Sequence, residues 1–278
     1  MRARTLLLVA LFASFAASGA AQPAGIPPIH RDPGIPVSMF GISIAAGELL
    51  IYPFFEYYRD ADAEYAPIEF GTGPDLDYRG RYRASEGLLF LGYGLSDRLA
   101  VEFEAAVISA RLEKSPDDTS AMPAVIEESG LGDVEGQLRW LWNRRAPGKS
   151  QLFSYFETVF PLQKDRRLIG TQYWEFKFGT GIVRDFPWGA MTLRAAVEYD
   201  GEEKKAVPGE YAVEFLRRLN RTLRLYAGIE GSEDEVEGIA ELQIALAPSI
   251  ALKLNSAFGL TSKATDWAPE IGVLFRFR

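Results

Sequence analysis

The side chains of this 278-residue sequence that could do chemistry are almost all carboxylates and strong bases: 38 Asp and Glu, 30 Lys and Arg, one His and no Cys. A nucleophilic hydrolase needs a Ser served by a His base and a polar group that orients the imidazole. The sole His, His30, lies in a Pro-rich stretch, so a triad has no base. Glu102 and Glu104 sit at i, i+2 and share one face of a strand, as two glycosidase carboxylates would. The same spacing suits two interior charges paired across strands, which is by far the commoner use. Gly130-Leu-Gly-Asp-Val-Glu-Gly136 looks like a phosphate loop only on the surface, because its spacing is not G-x-G-x-x-G and it opens a strand rather than a helix. Scarce His and no Cys leave no zinc-type cluster. Asp75/Asp77 and Asp117/Asp118 are solvated loop acids before they are Ca²⁺ ligands. The sequence therefore predicts no catalytic residue, no metal site and no cofactor. A formal charge of −8 speaks against a nucleic-acid partner, whose footprint is a basic patch.

What positions these charges is strand periodicity. Side chains alternate sides along a strand, so residues i, i+2 and i+4 line one face. Leu99, Val101, Phe103, Ala105 and Val107 face one way while Ala100, Glu102 and Glu104 face the other. The same apolar-out, charged-in pattern recurs along the chain from Glu48. It predicts an all-β antiparallel transmembrane barrel of about twelve strands, the even number expected of single-chain bacterial barrels. The expected interior, or lumen, is lined by Glu102, Glu104, Arg139, Glu157, Glu175, Lys177, Arg194, Glu198, Glu214, Arg224, Glu230 and Glu241. Buried charges are costly unless paired or wet, so Glu–Arg/Lys pairs across strands are expected.

Three segments follow. Met1-Arg-Ala-Arg4, the apolar run Leu6–Ala17 and the small residues Gly19-Ala20-Ala21 read as a signal peptide over 1–21. Its removal takes the formal charge from −8 to −10. Residues 22–47, with Pro23, Pro27, Pro28, Pro33 and Pro36, read as a periplasmic lead-in with a turn of helix near Met39–Ala46. Residues 48–278 are the expected barrel. Polar stretches are expected as outer loops at Arg59–Tyr78, Glu113–Ser129 (with a helical turn near Ala124–Glu128), Lys164–Thr171 and Asp200–Gly209. Tight periplasmic turns such as Leu95-Ser96-Asp97 alternate with them, an asymmetry characteristic of these barrels.

Two aromatic features sharpen this. Trp140, Trp142 and Trp188 fall at inner strand ends and Trp174 and Trp267 at outer ones, as two interfacial girdles require. The final stretch, Ala268–Arg278, alternates Ile271, Val273, Phe275 and Phe277 against Glu270, Gly272 and Arg276. Chain-terminal strands of outer-membrane barrels look like this, with Gly272, Phe275 and Phe277 as the assembly signal, although Arg278 replaces the usual terminal aromatic.

Gly130-Leu-Gly-Asp-Val134, Tyr93-Gly-Leu-Ser-Asp-Arg98 and Glu157-Thr-Val-Phe-Pro161 resemble motifs of a group of outer-membrane barrels, the MetA-pathway phenol-degradation family, related to transporter-like barrels. The resemblance spans most of residues 45–278 and implies passage of small solutes, aromatic or hydrophobic ones among them. It transfers no binding residue. The expected function is a channel or transporter with a charged lumen in the outer membrane of a Gram-negative bacterium. Its expected partners are outer-membrane lipid, the barrel-assembly machinery and an unidentified small solute. The alternative is a barrel with a structural or surface-interaction role, its contacts presented by loops 59–79 and 111–130.

Overall fold

The computed structural model describes residues 44–143, 150–201, 204–232 and 234–278. The signal peptide, His30 and most of the lead-in lie outside the described residues. Twelve strands close into one antiparallel barrel in which each pairs with its sequence neighbours and β1 pairs with β12. They are β1 (Leu49–Tyr65), β2 (Tyr78–Gly94), β3 (Leu99–Glu113), β4 (Val125–Leu141), β5 (Ser150–Phe160), β6 (Glu175–Phe186), β7 (Gly189–Asp200), β8 (Lys205–Arg218), β9 (Leu223–Ser232), β10 (Glu235–Ala247), β11 (Ile250–Gly259) and β12 (Ala268–Phe277). Closure gives every strand a partner on both sides, the condition for a sheet to stand in hydrocarbon, while β1 and β4 overhang β12 and β5 at the loop end. Among the described residues no helix is long and apolar enough to cross a membrane.

The strands are longer than alternation alone predicted, and three expected loops are corrected. Residues 59–65 continue β1 because Arg59, Glu64 and Tyr65 pair with Arg83, Arg79 and Tyr78 across a bulge between Asp60 and Ala63. No helical turn forms at Ala124–Glu128; from Val125 the chain pairs with β3, Val125 opposite Glu113 and Ser129 opposite Ser109. Lys205–Gly209 is strand as well, with Lys205 opposite Asp200. Pairing with a neighbour satisfies the N–H and C=O groups on that side, so a polar segment beside a long strand extends the sheet instead of looping out. β1 to β4 run 15 to 17 residues, against 10 for β9, β11 and β12. A tilted strand of ~10 residues is long enough to span an outer membrane, and β1–β4 exceed that length.

The outer surface carries Phe55, Leu89, Phe103, Val107, Phe156, Phe178, Val197, Leu246 and Ile271, each at least 41 % exposed. Scattered over a water-soluble protein, that much apolar surface would be a liability. The interior is not purely charged. Leu50, Tyr52, Phe90 and Leu274 point inward, as do Phe153 and Tyr155. These rings lie over glycines of the next strand: Tyr52 over Gly272, Tyr155 over Gly179 and Phe153 over Gly181, where a Cβ would collide with the ring. Glycine in a strand lets a neighbouring side chain lie flat against the backbone.

Candidate functional site: a charged cavity between two covers

Cross-strand register decides which interior charges meet. Glu102 on β3 stands opposite Gln137 on β4, one inward position from Arg139. Arg139 donates to Glu102 at 2.7 Å and to Gln137 at 3.0 Å, and Gln137 donates to Glu157 at 2.7 Å. Lys177 bridges Glu157 and Glu210 at 2.9 and 2.6 Å. Arg194 then joins Glu210 and Glu230, both at 2.7 Å, and approaches Glu214 at 3.5 Å. The result is one alternating chain from β3 round to β9. A second arc completes the belt: Lys253 pairs with Glu241 at 2.9 Å and sits 4.8 Å from the Tyr52 ring centre, while Glu270 accepts bonds from Tyr52 and Asn255.

The belt surrounds a cavity of about 470 Å³. Nine of the twelve expected lumen residues line it: Glu102, Glu104, Arg139, Glu157, Lys177, Arg194, Glu214, Glu230 and Glu241. Glu175 and Glu198 stand instead in a second recess at the loop end, with Arg167, Tyr173 and Asp234. Arg224 is 3 % exposed and stands opposite Arg218 near the end that holds the C terminus, below the cavity. Glu210 was missed because residues 200–209 read as loop, although its inward face follows from Glu214 by strand alternation. Phe54, Tyr58 and Phe90 also line the cavity, aromatic residues that were not among the expected lumen side chains.

Both ends of the cavity are covered. At the C-terminal end, Ile44 is 3 % exposed and packs with Leu50, Tyr52, Phe90 and Leu274. The backbone just before β1 is locked there by Gly47 N–H donating to the Gly94 carbonyl at 2.8 Å. At the loop end, the β5–β6 connection folds inward. Ile169 packs with Ala84 and Ala110, and Leu168 joins Met122, Tyr65 and Phe70 from the β3–β4 and β1–β2 connections.

Asp133 holds that fold-back. Its carboxylate accepts the Leu162 N–H at 2.7 Å, the Gln163 N–H at 3.2 Å and the Thr171 hydroxyl at 2.9 Å. The Gly130–Val134 motif thus shapes the wall and clamps a loop. Gly130 has φ +150°, and a Cβ on Gly132 would meet Ile108 at 2.7 Å. The register shifts here between Ala105 and Val107.

The other candidates fall into place. Glu102 is 3 % exposed and engaged by Arg139, so it and Glu104 do not form a matched acid–base pair. Asp118 is buried in the β3–β4 connection, accepting from the Ser120 N–H at 2.7 Å and the Tyr65 hydroxyl at 3.0 Å. Asp60, Asp62 and Asp266 bring carboxylate oxygens within 4.8 Å of one another at the loop end, a grouping that sequence distance had hidden. Two of those residues already serve the backbone, Asp60 accepting from Asp62 and Asp266 from Ala61. Trp142 lies beside Trp140 at 6.0 Å, and Trp188 stacks on Phe186 at 5.0 Å, all at the C-terminal end. Trp174 meets Phe160 at 5.1 Å, and Trp267 bridges to Arg59, both at the loop end.

Fold and interior together define the architecture of a membrane-spanning barrel, apolar outside and charged within. No family model matches the sequence, and no curated protein matches it. Solved structures do share the fold. An outer-membrane channel from Pseudomonas putida F1 aligns over 84 % of this chain and 97 % of its own, with 15 % identity and a TM-score of 0.61. The translocator domain of the autotransporter NalP from Neisseria meningitidis aligns over 84 % and 89 %, with 11 % identity and a TM-score of 0.52. The beta domain of the Bordetella autotransporter BrkA aligns over 82 % and 99 %, with 14 % identity and a TM-score of 0.50.

Proposed function

We propose that this protein is an outer-membrane channel of a Gram-negative bacterium that passes small solutes along its charged interior. The observation that carries this is the belt-lined cavity on the inside of a closed barrel whose outside is apolar. A purely structural barrel needs no interior space flanked by nine carboxylates and four basic side chains. Placing the short turns in the periplasm puts the loop-end recess, with Glu175 and Glu198, at the outer mouth. Trp140, Trp142 and Trp188 then form the inner girdle and Trp174 and Trp267 the outer one. Two of the three motifs keep the positions that suggested the MetA-pathway group, Tyr93–Arg98 at the β2–β3 turn and Glu157–Pro161 at the end of β5, whereas Gly130–Val134 lies inside β4 instead of opening it. Described as a channel, the Pseudomonas structure supports the same function. Nothing in this mechanism calls for catalysis or a cofactor.

Selection follows from the geometry. The two covers, Ile44 at one end and Leu168/Ile169 at the other, make passage depend on movement of short segments rather than on a fixed bore. A solute that exchanges hydrogen bonds with the belt while its apolar part meets Phe54, Tyr58 and Phe90 loses little on leaving water. Single-channel recording of the refolded protein in planar bilayers, with solute uptake into liposomes alongside, tests the proposal. Discrete conductance steps are expected; a folded, inserted protein with neither conductance nor uptake would sink it.

A further inference from the structure

We propose that the cavity binds a small organic cation, an ammonium carried on an apolar body, at Glu104 and Glu135 beside the Phe90 and Phe54 rings. This deepens the channel proposal by naming the solute class, and rests on it only for the route of entry.

The first ground is a mismatch between acids and bases. The four cationic side chains of the wall are all committed: Arg139 to Glu102, Lys177 to Glu157 and Glu210, Arg194 to Glu210 and Glu230, Lys253 to Glu241. Glu104 and Glu135 have no hydrogen-bond or ion-pair partner among the described residues. They stand directly opposite each other on β3 and β4. Cβ atoms of such a pair are ~5 Å apart, and like charges there repel. Lys177, whose charge also reaches Glu135, is already bound on both sides.

A second, independent ground is the set of buried polar atoms without partners. Those on the cavity wall are all acceptors: Glu102 Oε1, Glu214 Oε2 and Asn255 Oδ1. Glu102 and Glu214 are each 3 % exposed, so bulk water does not serve them. A buried acceptor left unpaired is costly, and a ligand rich in N–H donors is what would pair it.

The barrel also holds an internal precedent. The Lys253 ammonium bonds Glu241 and lies over the Tyr52 ring at 4.8 Å. Carboxylate plus aromatic face is how an ammonium is recognised. Beside this site the same ingredients continue without an ammonium of their own: Phe54 stacks on Tyr52 at 4.7 Å, and Phe90, the strand partner of Tyr52, stands opposite Glu104 in turn.

Benzylammonium, benzoate and benzyl alcohol present one ring with three charges, and their binding to the full-length protein in detergent can be read by calorimetry. Benzylammonium is expected to bind at least about ten-fold more tightly than benzoate, the effect of satisfying rather than opposing buried charge. E104Q/E135Q should lose that preference, and D117N in an exposed loop should keep it. If the double variant lacks the heat-modifiable gel mobility of a folded barrel, E135Q alone, whose side chain opens to the cavity, serves in its place. Equal binding of benzoate, no binding of benzylammonium, or unchanged binding in a folded variant would each overturn the proposal. Displacement of benzylammonium by equimolar potassium would overturn the role of the rings. Binding is read without flux: binding with no conductance would fail the channel proposal alone, whereas conductance with no cation preference in binding would fail this one alone.

Discussion

Arg276 on the last strand donates to Glu48, the residue before the first, across 228 positions of sequence. Glu48 is 1 % exposed, and its second oxygen accepts the Ala45 N–H at 2.8 Å. One carboxylate therefore ties the β1–β12 seam to the segment that seats Ile44. Glu48 is buried and Arg276 half-buried, so removing the carboxylate costs less than the ~3–5 kcal/mol of a fully buried pair. Glu48→Ala is expected to lower the temperature at which the folded gel band converts to the unfolded one, and to raise conductance by loosening Ile44. An unchanged transition would show the seam to be held by strand pairing alone.

Arg139 and Glu102 are both 3 % exposed and bonded at 2.7 Å. Arg139→Met leaves Glu102 unpaired and should cost about 3–5 kcal/mol in urea unfolding. Adding Glu102→Gln should return most of that loss, because no isolated charge remains. Additive losses in the double-mutant cycle would contradict a coupled pair.

Asp133 grips both ends of the β5–β6 connection through Leu162 and Thr171. Asp133→Ala should release Leu168 and Ile169 from the loop-end cover while leaving the barrel folded. Larger conductance and faster hydrogen exchange over 162–171 are the expected readouts; unchanged exchange would refute the clamp.

Phe275 and Phe277 face outward on β12, Phe277 at 50 % exposure, with Ile51 and Leu49 as their strand partners. Neither touches the cavity. Replacing both by Ala should reduce the assembled protein in outer-membrane fractions and leave solute preference unchanged in what does assemble. Normal assembled levels would contradict their role as a signal.

Asp118 gives a pH dependence in a loop. Burial alone would raise its carboxyl, but the Ser120 hydroxyl and N–H, the Tyr65 hydroxyl and Lys114 hold it below the usual range. A depressed acid contributes its full stabilisation above its unfolded pKa of ~3.9 and loses it as pH falls through the lower folded value. The 114–124 connection should therefore resist proteolysis from neutral pH down to about 4 and loosen only below that. Asp118→Asn should be equally susceptible across the range.

The sequence by itself determined the fold class, the approximate strand count and the inward face of most charges. Those follow from local alternation: once Val101 faces lipid, Glu102 and Glu104 have no other direction. It also determined the terminal strand, because Ile271, Val273, Phe275 and Phe277 need no partner to define a face. Tertiary structure alone decided which charges meet. Glu102 finds Arg139 while Glu104 finds only Glu135, and that difference lies in cross-strand register and a bulge near Ala105, which periodicity within one strand cannot encode. Alternation already put Tyr52 and Tyr155 on the inward face, but only the fold showed what receives their rings: Gly272 and Gly179 on the neighbouring strands. The covers, Ile44 and Ile169, lie in segments without strand periodicity, and their placement rests on Glu48 and Asp133 contacts that join distant parts of the chain.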